Sequence, residues 1–169
     1  IYGLNILGDI YRSFELAEKY GVSFIQIDSV CGHLEPDLDE EYESMLKFLR
    51  RNSDCTVLGG VRFKYQPVNS GRTLAEDLKI GMRRCDAVVC TGEGTGLATP
   101  MDKVEKFKQI LGDFHVIIGA GVTIDMVEAC RRNSDGVIVG SWFKDNHRAE
   151  YSVNEDNVKD FMLRWNAHT

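Results

Sequence analysis

Lys64, Asp28 and Glu93 are the side chains best suited to acid–base chemistry, because each lies at or just beyond the end of a short apolar run. A lysine at the end of a buried strand is open to a depressed pKa, and so to service as a base or Schiff-base nucleophile. The plainer alternative is a lysine paired with a carboxylate or with the charge of a ligand. Asp28 and Glu93 are candidates for proton transfer or for recognising substrate charge. Asn5 closes an earlier run and is a candidate substrate contact. Arg72 ends the polar stretch Lys64–Arg72 and is available for an anion; that stretch reads either as a mobile cover or as a solvated connector.

Two later apolar runs stop at small residues, the first at Gly119-Ala120-Gly121 and the second at Gly140-Ser141. Gly121 before Val122-Thr123 allows a sharp turn that exposes backbone N–H groups, and Gly140-Ser141 allows the same. Helix N-termini after strands are where an anion finds such groups. The plain reading is that any strand-to-helix turn favours glycine; two such turns in succession favour a phosphate site.

The histidines add less. His33 follows Asp28 and can face the same cleft, His115 precedes a strand and reads as structural, His147 lies among charged loop residues, and His168 is in the tail. No His/Asp/Glu group has metal-ligand spacing, although Asp28, His33 and Glu35 can converge in space. Neither metal nor cofactor is expected. The six carboxylates between Glu35 and Glu43 read as a solvated helix start, with acids suited to the helix dipole.

The elements that must position these residues alternate. Strand-like runs are Gly3–Leu7, Ser23–Asp28, Thr56–Phe63, Ala87–Thr91, Val116–Gly119 and Gly136–Val139. Amphipathic segments fall between and after them, at Ile10–Tyr20, Glu40–Arg51, Leu74–Arg84, Met101–Leu111, Ile124–Arg132 and Glu155–Trp165. Asp9, Thr73, Thr123 and Asn154 are placed to cap helices, and Thr73 with Glu76 forms a capping-box pattern. Six strand–helix units imply right-handed crossovers and a parallel sheet. The choice is between an open doubly wound sheet and part of a (β/α)8 barrel. A full barrel needs about 250 residues, so six units in 169 residues fit units three to eight of a barrel. The whole chain, 1–169, then forms one partial TIM-barrel domain, with polar groups gathered beyond the strand ends.

Composition narrows the class. The chain is 43% hydrophobic and 27% charged, as in an ordinary globular domain. A net charge of −6 argues against nucleic acid as a partner. No apolar run is long enough for a transmembrane helix. Five cysteines without a CxxC pair fit reduced thiols and a cytoplasmic protein. The chain starts with Ile1 in a strand-like run, so a preceding segment is expected, and that segment or a second copy would complete the barrel.

The segments GLNILGD, DAVVCTGEGTG, VIIGAGVT and DGVIVGSWFKD, in this order, resemble the BtpA/SgcQ family of the phosphate-binding TIM-barrel superfamily. The resemblance covers essentially the whole chain. The GAGVT and DGVIVGS pair is shared with many phosphate-binding barrels; the TGEGTG turn and GLNIL strand narrow it. The resemblance implies that Gly119, Gly121, Val122, Gly140 and Ser141 contact phosphate, and that Asn5, Thr91 and Gly92 line the cleft. Asp28 stands where the resemblance leads one to expect Asn. One branch of the family is linked to photosystem I biogenesis and another to a sugar-related gene cluster.

Two functions from different classes follow. The first is an enzyme, of isomerase or lyase/aldolase type, acting on a phosphorylated sugar or related small metabolite. The second is a non-catalytic biogenesis or stability factor for a membrane complex, for which an exposed apolar patch is the discriminating feature.

Overall fold

The computed structural model describes residues 1–167. The elements run β1 (Gly3–Leu4), α1 (Ile10–Tyr20), β2 (Phe24–Cys31), α2 (Pro36–Arg51), β3 (Thr56–Val61), α3 (Leu74–Arg84), β4 (Ala87–Cys90), α4 (Met101–Leu111), β5 (Val116–Ile118), α5 (Val127–Asn133), β6 (Gly136–Val137) and α6 (Glu155–Asn166). Short 3-10 turns cover Ile124–Met126, Ser141–Phe143 and Asp145–His147. The six strands follow one another in chain order through one sheet, and the registered pairs are parallel. A doubly wound sheet reverses its strand order partway; this one does not. Sequential parallel strands joined by helices are the topology of a TIM barrel.

Local chemistry explains the helix ends. Asp9 accepts from the Arg12 N–H at 2.9 Å to start α1, and Gly21, at φ +61°, ends it. Thr73 and Glu76 close a reciprocal capping box on α3. Asn154 accepts from the N–H groups of Asp156 and Asn157 to start α6. The Thr123 hydroxyl makes no such bond, and the expected helix Ile124–Arg132 is split into a 3-10 turn and α5. α2 begins earlier than expected, at Pro36, whose fixed φ suits the first turn.

The chain packs as two compact units, Ile1–Val89 and Cys90 onward. In the first, Ile25, Val30, Val57, Leu46, Leu78 and Val88 are essentially fully buried. In the second, Val104, Phe107, Val116, Ile118, Val127, Cys130 and Phe161 are. All five cysteines are free thiols. Among the described residues no helix is long and apolar enough to cross a membrane.

The first unit also buries charge, where a solvated acidic run was expected. Asp39 is only 3% exposed. Arg84 spans both of its carboxylate oxygens at 2.7 and 3.1 Å, and Arg72 reaches it at 2.6 Å. Glu43 takes a second bond from Arg84 at 2.7 Å. Asp77, fully buried, accepts from Arg62 at 2.8 Å and from the Ser70 hydroxyl at 3.0 Å. Helical geometry explains the correction: Asp39 and Glu43 are four residues apart, so one face of α2 turns both toward α3.

Candidate functional site

Each unit contains its own cluster of polar groups beyond strand ends. In the first, Asn5 donates to the Asp28 carboxylate at 3.0 Å, and Gln26 donates to the same oxygen at 3.3 Å. These residues line a cavity of about 330 Å3, together with Ser29 and His33. Glu35 is not among its lining residues, so that expected convergence does not extend to all three. Burial holds the His33 imidazole below its ordinary pKa, with a smaller push from the Arg84 charge, against the opposing pull of Asp39. Its ring meets Tyr42 edge-on, centroids 5.3 Å apart.

Lys64 and Arg72, on the β3–α3 loop, are placed differently. The Lys64 ammonium lies over the rings of Phe63 and Tyr65. Arg72 does not stand available for an anion: its charge is matched by Asp39 and Asp77. The loop itself is anchored, since the Asn69 and Ser70 N–H groups both donate to the Gly32 carbonyl. Arg62, at the end of β3, also donates to the Arg72 carbonyl at 2.6 Å. A short arginine-rich loop following a strand is legible as polar, but its partners on α2 are more than thirty residues away in sequence.

In the second unit, three glycine-bearing turns come together. The turn after β4 holds Thr91, Gly92, Glu93 and Gly96; the turn after β5 holds Gly119, Gly121 and Val122; the turn after β6 holds Gly140 and Ser141. A side chain built on Gly121 would put its Cβ 2.1 Å from the Leu97 carbonyl oxygen, and φ there is +63°. One built on Gly96 would lie 3.6 Å from Ser141 Oγ. Gly92 is pressed too, though less closely, with Ala98 O at 2.8 Å from a would-be Cβ.

Thr99, unnoticed in the sequence, ties the first two turns. It is 1% exposed, its hydroxyl accepts from the Gly92 N–H at 3.1 Å and donates to the Ala120 carbonyl at 2.9 Å. Lys103 adds a bond to the Thr91 carbonyl at 2.6 Å. The Gly92 and Gly119 N–H groups are thereby engaged, the first by Thr99 and the second by the Cys90 carbonyl. Gly140 differs from Gly121: nothing lies within 4 Å of a would-be Cβ. It leads the 3-10 turn Ser141–Phe143, whose start carries no side-chain cap. Glu93 is exposed on the first of these turns, and Val122 is buried.

The remaining histidines play other parts. His147 stacks on Trp142 at 3.9 Å between centroids, and its Nδ1 sits 3.0 Å from the Trp142 carbonyl. His115 is exposed just before β5 and lies 3.8 Å from Asp135. His168 lies outside the described residues.

Comparison with known proteins agrees with the strand order. An uncharacterised protein of Thermococcus kodakarensis is 27% identical over 168 residues, covering 95% of this chain and 63% of its own length. One from Pyrococcus horikoshii is 28% identical over 164 residues, covering 93% of this chain and 61% of its own length. The chain thus spans a little over three fifths of the length of these curated relatives. Among solved structures, the native KDPGal structure superposes with TM-score 0.66 at 14% identity, over 98% of this chain and 68% of that one. N-(5'-phosphoribosyl)anthranilate isomerase from Pyrococcus furiosus gives TM-score 0.58 at 16% identity, over 97% and 72%. At such identities the likeness is one of fold, and the fold is the TIM barrel. Residues 1–167 match the BtpA family as a whole, and this chain belongs to it.

Proposed function

We propose that this chain carries the phosphate-holding portion of a TIM-barrel enzyme that acts on a phosphorylated sugar or related small metabolite, by isomerase or aldolase-type chemistry. The observation that carries the reading is the meeting of the turns after β4, β5 and β6 within the second unit, at Gly96, Gly121 and Ser141. Phosphate sites in barrels use the loops after the last two strands with a helix N-terminus aimed at the anion. Ser141 opens a 3-10 turn whose start has no side-chain cap. Gly119, Gly121 and Val122 shape the neighbouring turn, with Thr91 and Gly92 behind it. The acid–base groups proposed are Asp28 and Lys64 of the first unit and Glu93 of the second, with Asn5 holding the Asp28 carboxylate. Free sugar phosphates and five free thiols suit the cytoplasm.

Thermal melting with inorganic phosphate and a panel of sugar phosphates tests the proposal. A ligand that binds only the native state adds about 2.7 kcal/mol at a hundredfold excess over its Kd. The expected result is a concentration-dependent rise that is lost in Gly140→Asp. That position has room for a side chain, and the introduced carboxylate repels the anion. Gly121→Asp is a poor probe, because any side chain there collides with Leu97 before its charge matters. Absence of a shift in a chain that melts cooperatively would overturn the phosphate site.

A second reading, a non-catalytic assembly factor, draws on α6, where Leu163 is 71% exposed and Met162 is 42% exposed. Cooperative melting unmoved by every sugar phosphate, together with loss of partner capture in Leu163→Ser, would favour it.

A further inference from the structure

Of the three buried side-chain polar atoms that have no hydrogen-bond partner among the described residues, two belong to residues that line one cavity. They are Ser29 Oγ and His33 Nδ1. Ser29 is 7% exposed, and its carbonyl, but not its hydroxyl, is engaged, by the Tyr42 hydroxyl at 2.6 Å. An orphaned buried hydroxyl opposes folding, and native structures rarely leave such a group without a use.

The backbone shows how Ser29 comes to share a cavity with its neighbours. Along a regular strand successive side chains point to opposite faces. Here β2 and β3 are in register at Ile27↔Gly59 and again at Cys31↔Val61, four steps on β2 against two on β3. The slip lets Ile27, Asp28 and Ser29 all line the same space. Such irregularities re-aim side chains and are enriched beside active sites. Gly60 makes the slip sterically feasible: a Cβ there would lie 1.9 Å from the Asp28 carbonyl oxygen.

The lining also restricts what fits. Among the described residues it contains no lysine or arginine, and burial pushes the His33 pKa down. The only formal charge is Asp28, whose carboxylate repels anions and has accepting capacity beyond its bonds to Asn5 and Gln26. Ile6, Ile10 and Leu34 supply apolar wall. A volume of about 330 Å3 is at the small end of ligand pockets.

We infer that this cavity is a binding site for an uncharged, hydroxyl-rich small molecule, a polyol or unphosphorylated sugar, whose hydroxyls complete the hydrogen bonding of Ser29 Oγ and His33 Nδ1 while donating to Asp28. The cavity shares Asn5 and Asp28 with the acid–base groups proposed above, but the inference is argued from first-unit observations alone and does not depend on the phosphate turns.

Ligand-observed NMR with unphosphorylated aldoses, ketoses, glycerol and cyclic polyols tests it. At least one is expected to bind. Ser29→Ala, and separately His33→Phe, which keeps the ring against Tyr42, should each weaken its Kd roughly two- to tenfold, the worth of one hydrogen bond. Gly140→Asp should leave that Kd unchanged, which separates this site from the phosphate site. If no probe binds, water alone satisfies the two atoms and the inference falls. It falls equally if a probe binds with the same Kd in both cavity variants. Should Ser29→Ala fail to melt cooperatively, His33→Phe decides the matter.

Discussion

Two buried serines of the first unit differ in the company they keep. Ser70 is 3% exposed and its hydroxyl donates to the Asp77 carboxylate, inside a knot of three arginines and three carboxylates. Ser29 is 7% exposed and its hydroxyl has no partner among the described residues. In the knot nearly every polar atom is matched, Arg84 Nε being the exception. The residues that bear the other two unmatched atoms line a cavity with space for something else. The contrast separates buried polarity that holds a fold together from buried polarity that awaits a ligand.

The knot should break hardest. Asp39→Ala removes the shared partner of Arg84 and Arg72 and leaves the 3%-exposed Arg84 guanidinium with Glu43 as its remaining carboxylate. Breaking a buried pair from one side costs about 3–5 kcal/mol, a large part of a domain's total stability. Urea denaturation should show an unfolding free energy lower by that amount. A loss under about 1 kcal/mol would mean that water already solvates the knot.

The second unit offers a sharper version of the same comparison, between two glycines. Gly121→Ala must hold a side chain at φ +63° and against the Leu97 carbonyl, so a loss of about 2 kcal/mol or more is expected. Gly140→Ala, with open space around it, should change stability by no more than about 0.5 kcal/mol. Equal losses in thermal melts would contradict the close packing of the first turn on the second.

Legibility from sequence followed the range of the interactions. The bounds of α1, α3 and α4 matched the amphipathic segments read from the chain, because periodicity and caps such as Asp9 and Thr73 act within a turn. The six alternating units and their family resemblance were likewise readable. Strand ends were not. β2 runs on to Cys31 through a slip that only its pairing with β3 defines, and β6 stops at Val137 although the Ile138 N–H still bonds to Ile118 O. The knot was misread as a solvated acidic run because Asp39 meets Arg84 from 45 residues away. Asp28 and Asn5 stood out as polar residues at strand ends; Ser29, one step further along β2, did not, since strict alternation would have sent it to the other face.

Acid should act on the knot in a defined direction. Hydrogen bonds from Lys47 and then Arg84 bring Glu43 down to about 2, and those from Arg84 and Arg72 outweigh burial to hold Asp39 below the usual carboxylate range. A carboxyl whose pKa is depressed in the folded state contributes stability that is complete above its unfolded value and is lost as pH falls through the folded one. Stability should therefore decline from the unfolded carboxylate range near pH 4.5 down to about 2. Glu43→Gln should make that decline shallower in denaturation measured across this window; an unchanged slope would place the loss elsewhere.

The finest distinction is expected between the two serines, where the sign at Ser29 matters more than its size. Ser70→Ala leaves one bond to Asp77 unmade and should cost about 1–3 kcal/mol. Ser29→Ala removes a hydroxyl that is already without a partner, so nothing is broken. Its effect on the unliganded chain should lie between zero and a gain of about 1 kcal/mol, since an unmatched buried hydroxyl opposes folding. A water held in the cavity by Ser29 Oγ moves the value toward zero without reversing it. A clear loss on Ser29→Ala, comparable with that of Ser70→Ala, would show that the hydroxyl has a partner within the fold, and the distinction between the knot and the cavity would dissolve.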